Sequence, residues 1–275
     1  MTQKTWLITG ASRGIGTEIA KTVLAAGDKL IATARNQTDL QQFVTKDVLT
    51  LRMDVTDEAQ VKGAIATALD KFGQIDVLVN NAGFGLLGAV EECSAEEVES
   101  VYRTNVFGLL NVIRAVLPSM RQRRSGHIIN LSSIGGYRAS VGWGVYGSTK
   151  FAVEGITEAL HGELAPLGIH ATVVEPGYFR TNFLDGSSLR PTATQIPDYA
   201  ETVGRMREIA VERNYQQLGD PTKLAKAILE IANAEEPPLR LPLGTDTLQV
   251  IAEKNAYVEQ ETAKWRSLSK STDYK

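Results

Sequence analysis

Cysteine is almost missing from this chain. Its 275 residues include one, Cys93, so no intrachain disulfide can form and nothing suggests the stapled architecture of small secreted domains. An excess of either charge is missing as well. Lys and Arg number 29 against 32 Asp and Glu, a formal net charge of -3, which excludes the basic surface that a nucleic-acid binder needs. The one short basic cluster, Arg121, Arg123 and Arg124, falls at the end of a predicted helix, where cations suit the helix dipole. No apolar run approaches the roughly 18–20 residues of a membrane span, and no hydrophobic leader precedes the first strand-like run, Trp6-Leu7-Ile8. The expectation is a cytoplasmic protein that meets neither membrane nor nucleic acid. Histidine is scarce too: His127, His161 and His170 show no metal-ligand spacing, so no metal is expected and structural roles are.

What the chain does contain is a β-α rhythm. Apolar runs of strand length at Trp6-Leu7-Ile8, residues 30–33, 48–53, 75–79, 127–131, 169–174 and 239–243 alternate with stretches of helical periodicity. The helices predicted over 15–26, 58–72, 95–123, 146–167 and 221–234 carry stop and start signals: Gly27, Gly73 and Gly168 at their ends, Thr56 or Asp57 as a cap, Pro221 in a first turn. This alternation predicts an α/β fold, a doubly wound Rossmann-type three-layer sandwich around a central, mostly seven-stranded parallel sheet. With 43% hydrophobic residues and no linker, residues 1–275 read as one domain. Two stretches depart from the rhythm. Residues 177–217 read as a long irregular loop, a length that usually marks function or motion. Residues 246–275 read as a helical tail, helical to about Trp265 and frayed thereafter.

The first strand runs into Thr9-Gly10-Ala11-Ser12-Arg13-Gly14-Ile15-Gly16 and then a helix. Glycines let the backbone turn sharply and approach a ligand closely. The free amides and the dipole at the helix start favour an anion such as a pyrophosphate. The spacing is Gly-x-x-x-Gly-x-Gly, not the Gly-x-Gly-x-x-Gly of other dinucleotide folds. Further along, Tyr146 and Lys150 stand four apart in a predicted helix and so share a face. An ammonium beside a phenol lowers the pKa of the phenol from its ordinary value near 10, which makes tyrosine a better proton shuttle at neutral pH.

Four motifs in this order resemble the short-chain dehydrogenase/reductase family in its single-domain form: Thr9-Gly10-x-x-x-Gly14-x-Gly16, Asn80-Asn81-Ala82-Gly83, Tyr146-x-x-x-Lys150, and Pro176-Gly177 after the sixth strand. They stay in register from about residue 5 to residue 244. Among subgroups the chain looks most like those similar to 17β-hydroxysteroid dehydrogenases. The resemblance implies an oxidoreductase acting on a CH-OH donor or its carbonyl, with a nicotinamide at the carboxyl ends of the strands. It implies Tyr146 as acid/base, Ser133 as its partner with Ser132 as fallback, Lys150 as the group that holds ribose and lowers the tyrosine pKa, and Asn105 as holder of a water leading from the lysine to solvent. As cofactor contacts it implies Gly10, Ser12, Arg13, Gly14, Ile15, Gly16, Asp54 and Val55 at the adenine, Asn81, Ala82, Gly83, Tyr146, Lys150, Pro176, Gly177, Phe179, and Thr181 at the nicotinamide amide.

NAD-binding relatives place an acid after the second strand to hold the ribose hydroxyls. Here that place falls on Ala34, and Arg35 follows at once. Arg13 and Arg35 are suited to clamp a 2′-phosphate through charge-assisted bonds, so the cofactor expected is NADP(H). Phe84, Trp143, Tyr178, Phe183 and Leu184 are candidate walls for a small-molecule carbonyl or alcohol, and their bulk suits an apolar ketone or aldehyde, as in a ketoreductase. Three other readings stand beside this one: a dehydrogenase oxidising a steroid, retinoid or other lipid alcohol; an NADP-binding regulatory protein; and a sugar-nucleotide epimerase or dehydratase. Relatives are often dimers or tetramers, so a homo-oligomer is also open.

Overall fold

A computed structural model describes residues 3–43 and 45–274. The elements run β1 (Thr5–Thr9), α1 (Gly14–Ala25), β2 (Lys29–Ala34), β3 (Val48–Arg52), α2 (Glu58–Phe72), β4 (Val77–Asn80), β5 (Gly85–Leu87), α3 (Ala95–Tyr102), α4 (Leu109–Arg123), β6 (Gly126–Leu131), α5 (Ile134–Tyr137), α6 (Gly144–Leu164), β7 (Ile169–Pro176), β8 (Leu189–Pro191), α7 (Arg205–Glu212), α8 (Pro221–Asn233), β9 (Arg240–Leu243) and α9 (Thr245–Lys270). The described residues form a seven-stranded parallel sheet in the order β3-β2-β1-β4-β6-β7-β9. This is the Rossmann-like α/β fold that the alternation predicts.

The sheet buries both faces because its central strands carry apolar residues at successive positions, not only at every second one, as Trp6-Leu7-Ile8 and Val77-Leu78-Val79 do. Side chains of a strand alternate between faces. Trp6 and Ile8 therefore join Leu30, Val77, Val79 and Ile129 under α1 and α8. Leu7 joins Ile31, Leu78, Ile128 and Val173 under α2, α4 and α6. In register, Leu7 stands between Ile31 and Leu78. Strand order reverses between β1 and β4, and an open α/β sheet forms its ligand crevice at such a reversal, outside the carboxyl ends of the strands. The caps follow sequence chemistry: the Asp57 carboxylate accepts from the amides of Ala59 and Gln60 at 3.0 Å, and Gly73 takes φ +78° to stop α2.

Two stretches differ from expectation, and a third takes one of the two forms expected. Residues 177–217 are not one irregular loop. They contain β8, which pairs in parallel with β5, short helical turns at Asn182–Leu184, Pro197–Tyr199 and Ala200–Gly204, and α7. A three-residue strand pairing across about a hundred residues leaves no periodicity to read. The helical region expected over 95–123, in one piece or two, is in two: α3 and α4 joined by a π-helical turn, Arg103–Gly108, a form that recurs at functional sites. Helix α9 reaches Lys270, beyond the expected fraying point.

A chain of buried amides ties α6 to the sheet. Asn80 Nδ2 donates to Asn130 Oδ1 at 2.9 Å, Asn130 Nδ2 donates to Thr157 Oγ1 at 2.9 Å, and Thr157 Oγ1 donates to the Val153 carbonyl at 2.7 Å. Asn130 and Thr157 are fully buried, so removing the middle link strands one donor and one acceptor. Asn130→Ala is expected to lower unfolding stability by about 2–6 kcal/mol, since each of the two groups left unsatisfied costs about 1–3 kcal/mol. Urea denaturation checks it by a lowered midpoint at unchanged slope.

Candidate active site

A cleft of about 1050 Å³ opens at the carboxyl ends of β1, β2, β4, β6 and β7. One end is built on the turn between β1 and α1. Gly10 takes φ +64°, and a Cβ there would lie 3.0 Å from Ala82 Cα. A Cβ on Gly16 would lie 2.4 Å from the Gly10 carbonyl oxygen and 2.5 Å from Asn81 Nδ2. Gly16 therefore faces the turn and not the cleft; it lets α1 press on the turn. The Asn81 amide donates to the carbonyls of Thr9 and Gly10 at 2.9 and 3.0 Å, and Thr9 Oγ1 accepts from the amides of Asn81 and Ala82 at 3.0 Å. This knot fixes the end of β4 against the turn. Helix α1 has no side-chain cap and no acid in its first turn, so its leading amides face the cleft with their partial positive charge.

Gly10, Ser12, Arg13, Gly14 and Ile15 line the cleft here, followed by Ala34, Arg35, Asp54 and Val55, then Asn81, Ala82 and Gly83, and on the far wall Pro176, Gly177, Phe179 and Thr181. Such a cradle fits a dinucleotide: a glycine turn without side chains, uncapped helix amides for the phosphates, and a buried Ala34 where a carboxylate would repel a further phosphate. Arg35 is exposed at the end of β2. Arg13 reaches across the cleft and donates to the Ser187 carbonyl. Asp54 Oδ1 accepts from the Thr56 amide and hydroxyl at 2.9 and 2.8 Å. Thr181 Oγ1 accepts from the Phe183 amide at 3.2 Å. Asn36 and Asp39, which sequence reasoning passed over, also line the cleft, with Asn36 Nδ2 donating to Asp39 Oδ1 at 3.3 Å. Asp39 adds a carboxylate to the same lining as Arg35.

The other end holds the reactive side chains. Ser133 ends the β6 segment and caps α5, its Oγ accepting from the Gly135 amide at 3.1 Å. Tyr146 and Lys150 lie one turn apart near the start of α6, both buried. Trp143 meets the Tyr146 ring edge-on at 5.7 Å between centroids, and Phe183 lies tilted at 5.8 Å. Leu184, Phe84 and Tyr178 complete the apolar walls. Arg190, on β8, stacks over Phe84 at 4.3 Å and brings a cation to the rim. Only the β5–β8 pairing carries it there, so spacing alone held no signal.

Electrostatics here depart from the expected pattern. Burial pushes the Tyr146 phenol well above its ordinary value, and the hydrogen bond with Ser133 only partly offsets this. Burial likewise lowers the Lys150 ammonium to about 8, opposed by the carboxylate of Glu154. The Lys150 ammonium donates to the Leu131 carbonyl at 2.8 Å and sits 5.8 Å from the centre of the Tyr146 ring. With the chain's own groups alone, desolvation outweighs any help from the lysine. The phenol keeps its proton at neutral pH.

Asn105 does not line the cleft. It lies in the π-helical turn one layer behind, where its Nδ2 donates to the Phe84 carbonyl at 2.9 Å and to Thr149 Oγ1 at 3.1 Å, and its Oδ1 accepts from the Phe84 amide at 3.1 Å. A Cβ on Gly83 would lie 3.0 Å from Asn105 Oδ1 and 3.8 Å from Lys150 Nζ. Ser132 is buried toward Gly136 and Glu154, and its hydroxyl has no hydrogen-bond partner among the described residues. Ser133, not Ser132, faces the tyrosine. Among the described residues no group of three or more His, Cys, Asp or Glu is placed to hold a metal, and no helix is long and apolar enough to cross a membrane.

Comparison with known proteins agrees with this geometry. The family model described as short chain dehydrogenase matches residues 4–190. An oxidoreductase of Botryotinia fuckeliana, BOA17, is 38% identical over 270 residues, covering 97% of this chain and 98% of that protein. A 3-ketodihydrosphingosine reductase of Bacteroides thetaiotaomicron is 40% identical over 238 residues, covering 86% and 87%. A crystal structure of a short-chain dehydrogenase from Streptomyces avermitilis superposes with a TM-score of 0.93 at 39% identity, covering 99% of this chain and all of that one. More distant solved neighbours hold NAD in one case (Burkholderia phymatum, 26% identical) and NADP in another (the protein ElxO, 30% identical). With the seven-stranded parallel sheet, the glycine turn and the paired tyrosine and lysine all in the family's arrangement, this chain belongs to the short-chain dehydrogenases.

Proposed function

We propose that the protein is an NADP(H)-dependent carbonyl reductase, taking an apolar ketone or aldehyde to the alcohol with Tyr146 as the proton donor. One observation carries this reading. The protonated Tyr146 hydroxyl, the Ser133 hydroxyl and the Lys150 amine meet inside an apolar pocket, at the end of a cleft whose other end is an anion cradle.

The cofactor, when bound along the glycine turn, supplies the hydride in reduction and takes it up in oxidation. The chain's own groups do the rest. The pocket formed by Trp143, Phe183, Leu184, Phe84 and Tyr178 excludes water and takes the apolar body of the substrate. Ser133 and Tyr146 donate to the carbonyl oxygen, so that charge developing there meets donors already in place. Tyr146 then gives its proton to that oxygen. Burial holds the phenol in its acid form, which suits donation and hence reduction. Lys150 brings positive charge beneath the tyrosine, stabilises the phenolate left behind, and holds the ribose. Asn105 keeps Phe84 and the Gly83 backbone in position beside the lysine. Oxidation of a lipid alcohol uses the same groups in reverse and requires Tyr146 to start as phenolate. The cytoplasm is the setting we propose, in keeping with the single thiol, Cys93.

For the cofactor, Ala34 in place of an acid, Arg35 beside it and Arg13 in the glycine turn support NADP(H) over NAD(H). Asp39 near the same wall is the feature that argues for NAD(H).

Tyr146→Phe is expected to keep cofactor binding, measured by protein fluorescence, while turnover of a ketone such as a decalone falls by about 10²–10⁴-fold, the usual share of general acid catalysis. Turnover close to wild type would remove Tyr146 from the mechanism. Arg35→Ala is expected to raise KM for NADPH roughly 10–100-fold, the worth of a charge-assisted contact, and to leave NADH nearly unchanged. Equal losses with both cofactors, or a wild-type preference for NADH, would overturn the assignment of NADP(H).

A further inference from the structure

The charges behind the tyrosine balance only as a set. Lys150 is buried and its ammonium donates to the Leu131 carbonyl at 2.8 Å. Among the described residues it has no ion-pair partner within 4.0 Å. One turn further along α6 lies Glu154, and residues four apart share a helix face. Beyond Glu154 is Arg240 of β9, which donates to Glu154 Oε2, to Glu175 of β7 at 2.9 Å and to Glu158 of α6 at 2.9 Å. Glu158 is exposed and water answers its charge. Glu154 and Glu175 are only 5% and 1% exposed. One guanidinium shared between two buried carboxylates leaves one negative charge unanswered. Lys150 is the cation that completes the set.

Packing isolates this set from water. Arg240 takes Glu154 Oε2, and Oε1 is left without a partner among the described residues. A Cβ on Gly136 would lie 2.4 Å from Ser132 Oγ, 3.0 Å from Glu154 Oε1 and 3.1 Å from Lys150 Cβ. Helix α5 therefore lies hard against all three side chains, and a charge that water does not screen acts more strongly. The charged groups facing Glu154 are Lys150 and Glu158 on its own helix, Glu175 on β7 and Arg240 on β9; Tyr146 faces the Lys150 end. Arg138 of α5 is engaged by Glu253 of α9. Each of Lys150 and Glu154 favours the ionised form of the other. Burial lowers the ammonium to about 8, and Glu154 opposes that fall. Burial and Glu175 push the Glu154 carboxyl up, and Arg240 works against them.

We propose that Glu154 is a positioning residue of this site: its carboxylate is the counter-charge that keeps Lys150 protonated beneath Tyr146, and Arg240 holds it there from the last strand of the sheet. The inference deepens the reduction proposed above and rests on it for the effect on turnover, since the charged form of Lys150 stabilises the phenolate left after donation. It places part of the control of the reaction outside the cleft, which Glu154 does not line. A purely structural role, tying β9 to α6, would give Glu154 the same contacts but no influence on the titration of Lys150.

The test is the titration of Lys150 itself in the full chain without cofactor. Lys150 lines the cleft, so a small acylating reagent reaches it. Competitive labelling with acetic anhydride from about pH 6 to about pH 10, the range that brackets a lowered lysine, is read by mass spectrometry of the peptide that carries it. The wild-type midpoint is expected at about 8. Glu154→Gln removes the charge and keeps the shape; it should lower the midpoint by at least about one unit, the effect of losing a nearby opposite charge. Turnover of a ketone with NADPH should follow, falling about fivefold at pH 8, where the wild-type amine is half charged, and little at pH 6, where both amines are charged. Glu154→Asp keeps the charge and should return the midpoint to within about half a unit of wild type. Glu158→Gln removes an exposed charge from the same guanidinium and should leave the midpoint in place. Should circular dichroism show the glutamine variant unfolded, Glu154→Met replaces it, because a buried ion can give way to an apolar side chain of like size at little cost. A midpoint unmoved in the neutral variants, moved as far by Glu158→Gln, or not restored by aspartate would overturn the proposal. A midpoint that falls while the reduction profile stays in place would uphold the coupling and overturn instead the part given to Lys150 in the reduction.

Discussion

The site depends on the burial of one amine. Lys150 lies nearly out of water against the carboxyl end of β6, and its ammonium donates to the Leu131 carbonyl. An ammonium in that position is costly unless its surroundings answer it. The answer extends outward along α6. Glu154, one turn further on, is buried beside Ser132; Arg240 of β9 pairs with Glu154, with Glu175 at 2.9 Å and with Glu158 at 2.9 Å. Burial pushes the Glu154 carboxyl above the usual carboxylate range, and the neighbouring Glu175, which shares the Arg240 guanidinium, pushes it the same way. The last strand of the sheet is thereby tied electrically to the helix that carries the tyrosine.

This constraint explains why the fold and the site were unequally legible. The strands were readable because a doubly covered parallel sheet demands unbroken apolar runs. Trp6-Leu7-Ile8 and Val77-Leu78-Val79 are such runs. The glycine turn was readable because backbone conformation and close approach leave glycine alone at positions 10 and 16. Tyr146 and Lys150 were readable because helical periodicity converts four residues of spacing into one shared face. Ser133 needed the structure to separate it from Ser132: adjacent residues at a strand end point in opposite senses, and only the packing of Gly136 shows which hydroxyl goes inward.

What was not legible is what tertiary contact alone decides. The partners of Asn105 are of this kind: its side-chain amide holds the backbone of Phe84 and the hydroxyl of Thr149, and so shapes the wall from behind. Asn81 lines the cleft, and the fold adds that its side-chain amide braces the glycine turn. Arg190 and Asp39 carry charge into the cleft from segments whose periodicity is silent. The sign of the pKa shift at Tyr146 could not be read either. Sequence supplies the neighbouring amine, but only the fold supplies the depth of burial, and at this depth desolvation wins.

Burial at this site acts on the two ionisable partners in opposite chemical senses but toward the same electrical end. It disfavours the phenolate of Tyr146 and the ammonium of Lys150 alike, so each is driven toward its neutral form. The chain by itself is thus nearest to the state that can donate a proton. A positive charge placed beside these groups would favour the phenolate, while a neutral one would leave the phenol protonated. An oxidised nicotinamide is the former and a reduced one the latter. A nicotinamide held in this cleft would therefore bias the proton on Tyr146 according to its redox state, and burial would strengthen that bias by weakening the screening of charge.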